Sequence, residues 1–261
     1  MQRSSRVDYD VIAELYDSTP HREKSADPEL IAFLAWRGPT ASVTLLDIAC
    51  GTGNQQIANR GLAPDAKFVG LDGSLGMLRQ ARRNMLDIAW VHGDSAALPF
   101  ASTSIDFISC QYAFHHFRDK AGMLREAFRV LRRGGRFALY DMCPQESEDW
   151  LYYAYFPEAK TRDFADFWPP DAIVSEMTST GFTGVEVERR HVHRRARPGG
   201  AAVGSAVPRA ELTTAVTIGR SVSGRPAAYR TRPRRSADAQ GAHRPSVRHY
   251  GARGQTVGSR R

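Results

Sequence analysis

The chain has 261 residues, 42% of them hydrophobic, which allows one sizeable core and one or two domains. Its three cysteines, Cys50, Cys110 and Cys143, are odd in number and far apart, which excludes a disulfide framework or a Cys-x-x-Cys metal site, and no metal site is expected. The net charge of +8 is uneven: residues 193–261 carry 15 Arg and no Lys against Glu211 and Asp238, a net +13, which leaves −5 on residues 1–192. No apolar leader opens the chain at Met1 to Asp8, and no apolar run approaches the ~18 residues of a membrane span. The expected setting is soluble, reducing and cytoplasmic, with no membrane partner.

Residues 8–36 read as two helices. The first, about Asp8 to Asp17, has apolar residues at helical spacing, with Tyr9 and Tyr16 one heptad apart. The second, about Asp27 to Trp36, is announced by Asp27-Pro28, a capping acid followed by proline in the first turn. Next, Leu45, Leu46, Ile48 and Ala49 form a buried strand that runs into the turn Gly51-Thr52-Gly53 and a helix from Asn54 to Arg60. Gly51 and Gly53 let the backbone turn tightly and approach a ligand.

This turn is neither a dinucleotide fingerprint, because Gln56 stands where the third glycine belongs, nor a P-loop, because the Gly-Lys-Ser/Thr run is absent. Asp47 inside the strand is the unusual residue. A buried carboxylate is costly unless paired, would repel a pyrophosphate, and suits a cationic ligand. S-adenosylmethionine (SAM), with an ammonium and a sulfonium and no phosphate, is such a ligand. Asp47-Ile48-Ala49-Cys50-Gly51-Thr52-Gly53 resembles motif I of the class I SAM-dependent methyltransferases, most of all the ubiquinone/menaquinone-biosynthesis branch.

Lys67 to Asp72 is a second strand ending in an acid 19 residues past Gly53, the position from which a carboxylate takes both ribose hydroxyls. Gly73 then turns into a helix capped by Ser74, with Met77 facing inward. A third strand, Ile88 to His92, is followed by Gly93-Asp94-Ser95, and a fourth, Ile105 to Gln111, by Tyr112-Ala113-Phe114-His115-His116-Phe117. Asp119 caps a helix reaching Leu131, Arg132-Arg133-Gly134-Gly135 reads as its C-terminal cap, and Arg136 to Asp141 is a fifth strand. Trp150 to Trp168 holds eight of the chain's 25 aromatic residues. A helix follows from Pro170 to Thr180, ended by Gly181, and then a sixth strand from Phe182.

The resemblance also covers Leu98-Pro99-Phe100 with Ser104-Ile105-Asp106-Phe107-Ile108, and Val130-Leu131-Arg132 through Gly134-Gly135-Arg136-Phe137. It implies a doubly wound, Rossmann-like α/β fold with strand order 3-2-1-4-5-7-6 and an antiparallel seventh strand. The implied cofactor is SAM. Asp47, Ala49, Gly51 and Gly53 would hold its methionine end, Asp72 with Gly73 and Met77 the ribose side, and Asp94 with Ser95 the adenine. A carbonyl near Gln111 would take the ammonium. The resemblance further implies that the N-terminal helices cover this site and that the aromatic insertion encloses the acceptor; plain packing of both on the sheet is the other reading. Arg22 could reach the cofactor carboxylate or be a solvated charge.

Gln111 to Phe117 faces the reaction site because ligands of an open parallel sheet bind outside its carboxyl ends. His115 or His116 is the candidate catalytic base or acceptor clamp. The expected reaction is methyl transfer to a small organic acceptor. From His193 onward the apolar pattern stops, with no Phe, Trp or Met, and Glu211 to Val222 is the only strand candidate. This tail reads as a disordered segment, either a basic arm for nucleic acid or the product of a shifted reading frame in a GC-rich gene. The domain is accordingly drawn as 1–192 and the tail as 193–261, with the seventh strand missing or disordered. Two further readings follow from the tail: an RNA methyltransferase anchored by it, or a SAM-binding remnant.

Overall fold

A computed structural model of the chain describes residues 7–18, 24–38, 42–146, 151–192 and 211–219. The first helices are α1 (Tyr9–Tyr16) and α2 (Pro28–Arg37). Asp8 caps α1 and Asp27 caps α2, each accepting two backbone N–H groups, so both helices begin where the sequence supplies a free carboxylate. Then come β1 (Thr44–Ile48), α3 (Asn54–Arg60), β2 (Lys67–Asp72), α4 (Leu75–Asn84), β3 (Ala89–His92) and β4 (Ile105–Gln111). The Ser74 hydroxyl accepts from the Met77 N–H and caps α4. A short 3-10 turn over Phe114–His116 leads to α5 (Lys120–Val130), capped by Asp119, and to β5 (Leu131–Met142). The chain continues through a second 3-10 turn (Pro144–Glu146), α6 (Leu151–Tyr155), α7 (Pro157–Asp166), α8 (Pro170–Thr180) and β6 (Thr183–Val192) to β7 (Glu211–Gly219).

The sheet order is β3-β2-β1-β4-β5-β7-β6, with β1 to β5 parallel and β7 antiparallel to both of its neighbours. Successive side chains alternate between two cores. Leu46, Ile48, Ile108, Phe137 and Leu139 pack with Met123, Ala127, Ile173 and Met177 on one face. Leu45, Phe68, Phe107 and Ala138 pack with Leu30, Phe33, Leu78 and Ala81 on the other. Strands covered on both faces need continuous apolar runs, which is why the central strands read as such.

Two expectations are corrected. α5 ends at Val130, and Leu131 is already extended and paired with Ile105, so Arg132 to Gly135 form an irregularity inside β5 rather than a helix cap. The reason is Asp106, which is buried and draws the Arg132 guanidinium at 2.6 Å away from the helix carbonyls. Arg37 and the Thr44 N–H complete that carboxylate's partners. Second, the seventh strand is present. Glu211–Gly219 pairs along its length with β5 and β6, so the sheet extends past the boundary drawn at residue 192. Its Thr, Val and Ile residues suit a strand, although the surrounding Arg/Gly/Pro composition masks it. With β7 in place, the missing-strand argument for an inactive remnant falls away. Residues 193–210 and 220–261, where the basic arm or shifted frame was expected, lie outside the described residues, as does Arg22.

Trp90 on β3 fills the space left by two glycines. A Cβ at Gly70 would lie 2.5 Å from two Trp90 ring atoms and 2.9 Å from the Cys50 sulfur; one at Gly53 would lie 2.4 Å from the same ring. Gly70→Ala is therefore expected to destabilise the fold by about 1–3 kcal/mol through overpacking. Chemical denaturation measures this, and Trp90→Leu in the same chain should restore part of the loss.

Candidate functional site

The strand registers bring the expected site residues to one edge. Asp47 lies beside Gly70 of β2 and Ser109 of β4, Asp72 beside His92, and Gln111 beside Tyr140. Here β1 and β4 part to opposite sides, which opens the crevice of a doubly wound sheet. Both strands leave it through a left-handed residue that is not glycine: Ala49 at φ 58° and Tyr112 at φ 56°. Such backbone costs roughly 1–3 kcal/mol and persists only where its surroundings impose it. The Cys50 N–H donates to Leu71 O at 3.0 Å and the Tyr112 N–H to Tyr140 O at 2.7 Å, fixing the two exits.

Acids line the crevice. Asp47 is buried and accepts from the Ser109 hydroxyl at 2.7 Å. Burial pushes its carboxyl up to about 7, with Asp27 and Asp72 adding to the rise while Ser109 and Lys24 oppose it. Asp72 closes β2 and receives the N–H of Gly51 on one oxygen and that of Ser74 on the other, both at 2.8 Å. Burial raises its carboxyl as well. Each oxygen retains acceptor capacity after those bonds, as a diol would require. Gly51 has φ +55° and open space where a Cβ would project, and Gly53 has φ +84°. Gly73 follows Asp72, and Met77 is buried in the first turn of α4. Asp94 is exposed beyond β3 and accepts from the Ala96 N–H, with Ser95 half-buried beside it. Gln111 donates to buried Asp27, which also takes the Tyr140 hydroxyl at 2.6 Å. These features fit SAM: carboxylates for a cation and for a ribose, and an open glycine turn.

The two histidines have different partners. The Nδ1 of His115 lies 2.9 Å from the carboxylate of Asp141, which also accepts the His115 backbone N–H at 2.9 Å. Phe167 stacks on the His115 ring, with centroids 3.9 Å apart and planes 17° apart. His116 lies against His115 at 3.8 Å, and its Nε2 is 2.7 Å from the Tyr9 hydroxyl. Among the described residues no cluster of His, Cys, Asp and Glu could hold a metal ion.

Helix α1 lies across the crevice's rim. Asp10 accepts from the Ser74 hydroxyl and the Gly76 N–H. Asp17 accepts from Thr52 at 2.6 Å, Asn54 at 2.8 Å and Asn84 at 3.1 Å. The sequence reading did not single out Tyr9, Asp10, Asp17 or Asp141 as site residues. Asp141 carried one signal, an acid closing a strand as Asp72 does. The partners of Tyr9 and Asp17 lie 107 and 35 residues away, beyond the reach of any local pattern.

A family model described as a methyltransferase domain matches residues 45–135. The chain is 32% identical over 158 residues to a demethylmenaquinone methyltransferase of Thermotoga maritima, covering 53% of this chain and 69% of that one. It is 32% identical to a demethylmenaquinone methyltransferase of Thermus thermophilus, covering 58% and 83%. It is also 34% identical to a ubiquinone/menaquinone biosynthesis C-methyltransferase of Dinoroseobacter shibae, covering 51% of this chain but only 54% of that one. Among solved structures, a chain from the complex of the Haloferax volcanii Trm112 methyltransferase activator with a methyltransferase superposes with TM-score 0.64 at 20% identity, covering 84% of this chain and all of that one. A SAM-dependent methyltransferase of Aquifex aeolicus gives 0.53 at 17%, covering 82% and 99%. At these identities the structural likeness speaks for the fold.

A carboxyl that ordinarily titrates near pH 4 and is raised to about 7 in the folded chain binds a proton there that the unfolded chain releases. Stability contributed by Asp47 is therefore fully present below about pH 4 and declines as pH rises through about 7. Denaturation of the SAM-free chain across this range should show a steeper decline in wild type than in Asp47→Asn.

Proposed function

Because the chain belongs to the class I SAM-dependent methyltransferases, we propose that its acceptor is a small hydroxylated aromatic molecule of the quinol kind and that His115 is the base that activates it. The observation that carries the reading is the His115–Asp141 pair under Phe167, at the same sheet edge as the acid-lined crevice. The relatives named for quinone methylation point to the same acceptor class.

Asp47, Asp72 and the Gly51–Gly53 turn are the groups to hold SAM, with Asp94 and Ser95 toward its adenine. Bound SAM supplies an electrophilic methyl on a sulfonium sulfur, which leaves as the neutral thioether. The chain positions the acceptor and receives its proton. With Nδ1–H directed to Asp141, Nε2 of His115 is the basic nitrogen, and the carboxylate steadies the imidazolium that forms. Phe167 and Trp168, the latter edge-on to Phe114 at 5.7 Å, supply an apolar wall that suits a planar ring and excludes water. In contrast, Tyr155 and Phe156 are exposed, so only part of the aromatic segment serves as a wall. The three cysteines are buried thiols outside any disulfide, which fits a reducing, cytoplasmic setting.

Mass spectrometry of the chain incubated with SAM and a short-chain demethylmenaquinol is expected to show a singly methylated product. His115→Ala should lower kcat by roughly 10²–10⁴-fold. Asp72→Ala should raise the Kd for SAM by about 10- to 100-fold in calorimetry. Unchanged affinity would remove Asp72 from the ribose, and failure to methylate any quinol or phenol offered would overturn the acceptor class.

A further inference from the structure

We propose that Tyr9 is a positioning residue for the reaction: its hydroxyl, carried on α1, holds His116 neutral and in place so that His115 keeps its basicity and its orientation. This rests on the reading of His115 as the base. The geometry is a continuous chain of contacts. Tyr9 meets His116 through its hydroxyl at 2.7 Å and by an edge-to-face ring contact at 5.4 Å. His116 lies over one side of His115, whose ring also stacks on Phe167 and whose Nδ1 meets Asp141. Two further groups stand beside this chain of contacts. Lys120 donates through Nζ to the carbonyls of His115 and Phe117, and Tyr16 lies edge-on to Tyr9 at 6.4 Å.

The physical argument is electrostatic. Two imidazoles with centroids 3.8 Å apart cannot both take a proton without strong repulsion. In the His116 tautomer that carries its proton on Nδ1, the Tyr9 hydroxyl donates to Nε2 and occupies the nitrogen on which a second proton would settle, so the proton from the acceptor goes to His115. Without the hydroxyl, His116 competes for the proton, and its charge makes His115 a weaker base.

The position of α1 gives this contact a second meaning. The same helix is pinned to both loops that close the cofactor crevice, through Asp10 on Ser74 and Gly76 and through Asp17 on Thr52 and Asn54. The Gly76 N–H, with the Ser74 hydroxyl, holds the Asp10 carboxyl below its ordinary range, so it stays ionised as an anchor. The helix that covers the cofactor loops is therefore also the one that carries Tyr9 to His116.

The test uses the full chain with SAM and the quinol acceptor. Tyr9→Phe should leave the Kd for SAM and the acceptor KM within about twofold of wild type. It should lower kcat about tenfold and move the acid limb of the pH profile of kcat/KM downward by about one unit, as expected for a base weakened by a neighbouring charge. Asp10→Ala, which unpins the helix, should move the limb in the same direction and also raise the Kd for SAM. An unmoved limb in both variants, or a Tyr9→Phe defect confined to SAM affinity, would overturn the proposal and leave α1 as a plain cover. A His115→Ala variant that keeps wild-type kcat would instead overturn the base assignment itself, whatever Tyr9→Phe does.

Discussion

The site depends on how β1 and β4 end. They lie side by side in the sheet, yet their connections leave toward opposite faces, and neither exit is built on glycine at the decisive residue. Ala49 and Tyr112 are both held in left-handed backbone, each at a cost that the surrounding sheet must offset. The offset comes from ordered neighbours. Leu71 O accepts the N–H of Cys50, which follows Ala49, Tyr140 O accepts that of Tyr112 itself, and the fully buried Ile48, Phe107 and Ile108 fix the strands from which the turns depart. Ligand binding here begins as a stability problem that the core has already solved.

The second constraint is charge. Asp47 lies on β1, Asp72 closes β2 and Asp27 caps α2, yet the three stand close enough for Asp27 and Asp72 to raise the Asp47 carboxyl. Their mutual repulsion is relieved in different ways. Asp27 spends its lone pairs on two helix N–H groups, a tyrosine hydroxyl and Gln111. Asp72 takes two backbone N–H groups. Asp47 responds by holding its proton more tightly, with the Ser109 hydroxyl opposing that rise. Lys24 stands over the Tyr112 ring at 4.6 Å and lends positive charge to Asp47, so the chain already uses a cation to temper this cluster.

How much was legible follows from range. Asp27, Ser74 and Asp119 were recognisable as caps because capping spans about four residues. The bounds of β2, β4 and α3 matched because turn signals flank them closely. Arg132 to Gly135 misled for the same local reason. A cation pair followed by two glycines resembles a helix cap, and only Asp106, brought close by the fold, redirects it. β7 was visible as a candidate but obscured by the residues around it. At the site, the acids that close strands were readable and the histidines conspicuous. Which histidine meets which partner was not, because Asp141 and Tyr9 join them only through the completed topology.

The position of β7 also bears on how the molecule comes to be folded during its synthesis. The last strand among the described residues sits between β5 and β6, so the ribosome releases both neighbours before the strand that joins them. Until residues 211–219 emerge, β5 keeps an open edge along Arg136 to Met142, and β6 has no partner in the sheet. The five parallel strands can collapse first, as the more N-terminal part of a nascent domain. The sheet is then completed by insertion rather than by addition. A chain paused or cut before that insertion would leave the β5 edge and the whole of β6 unpaired, the geometry that invites strand exchange between copies.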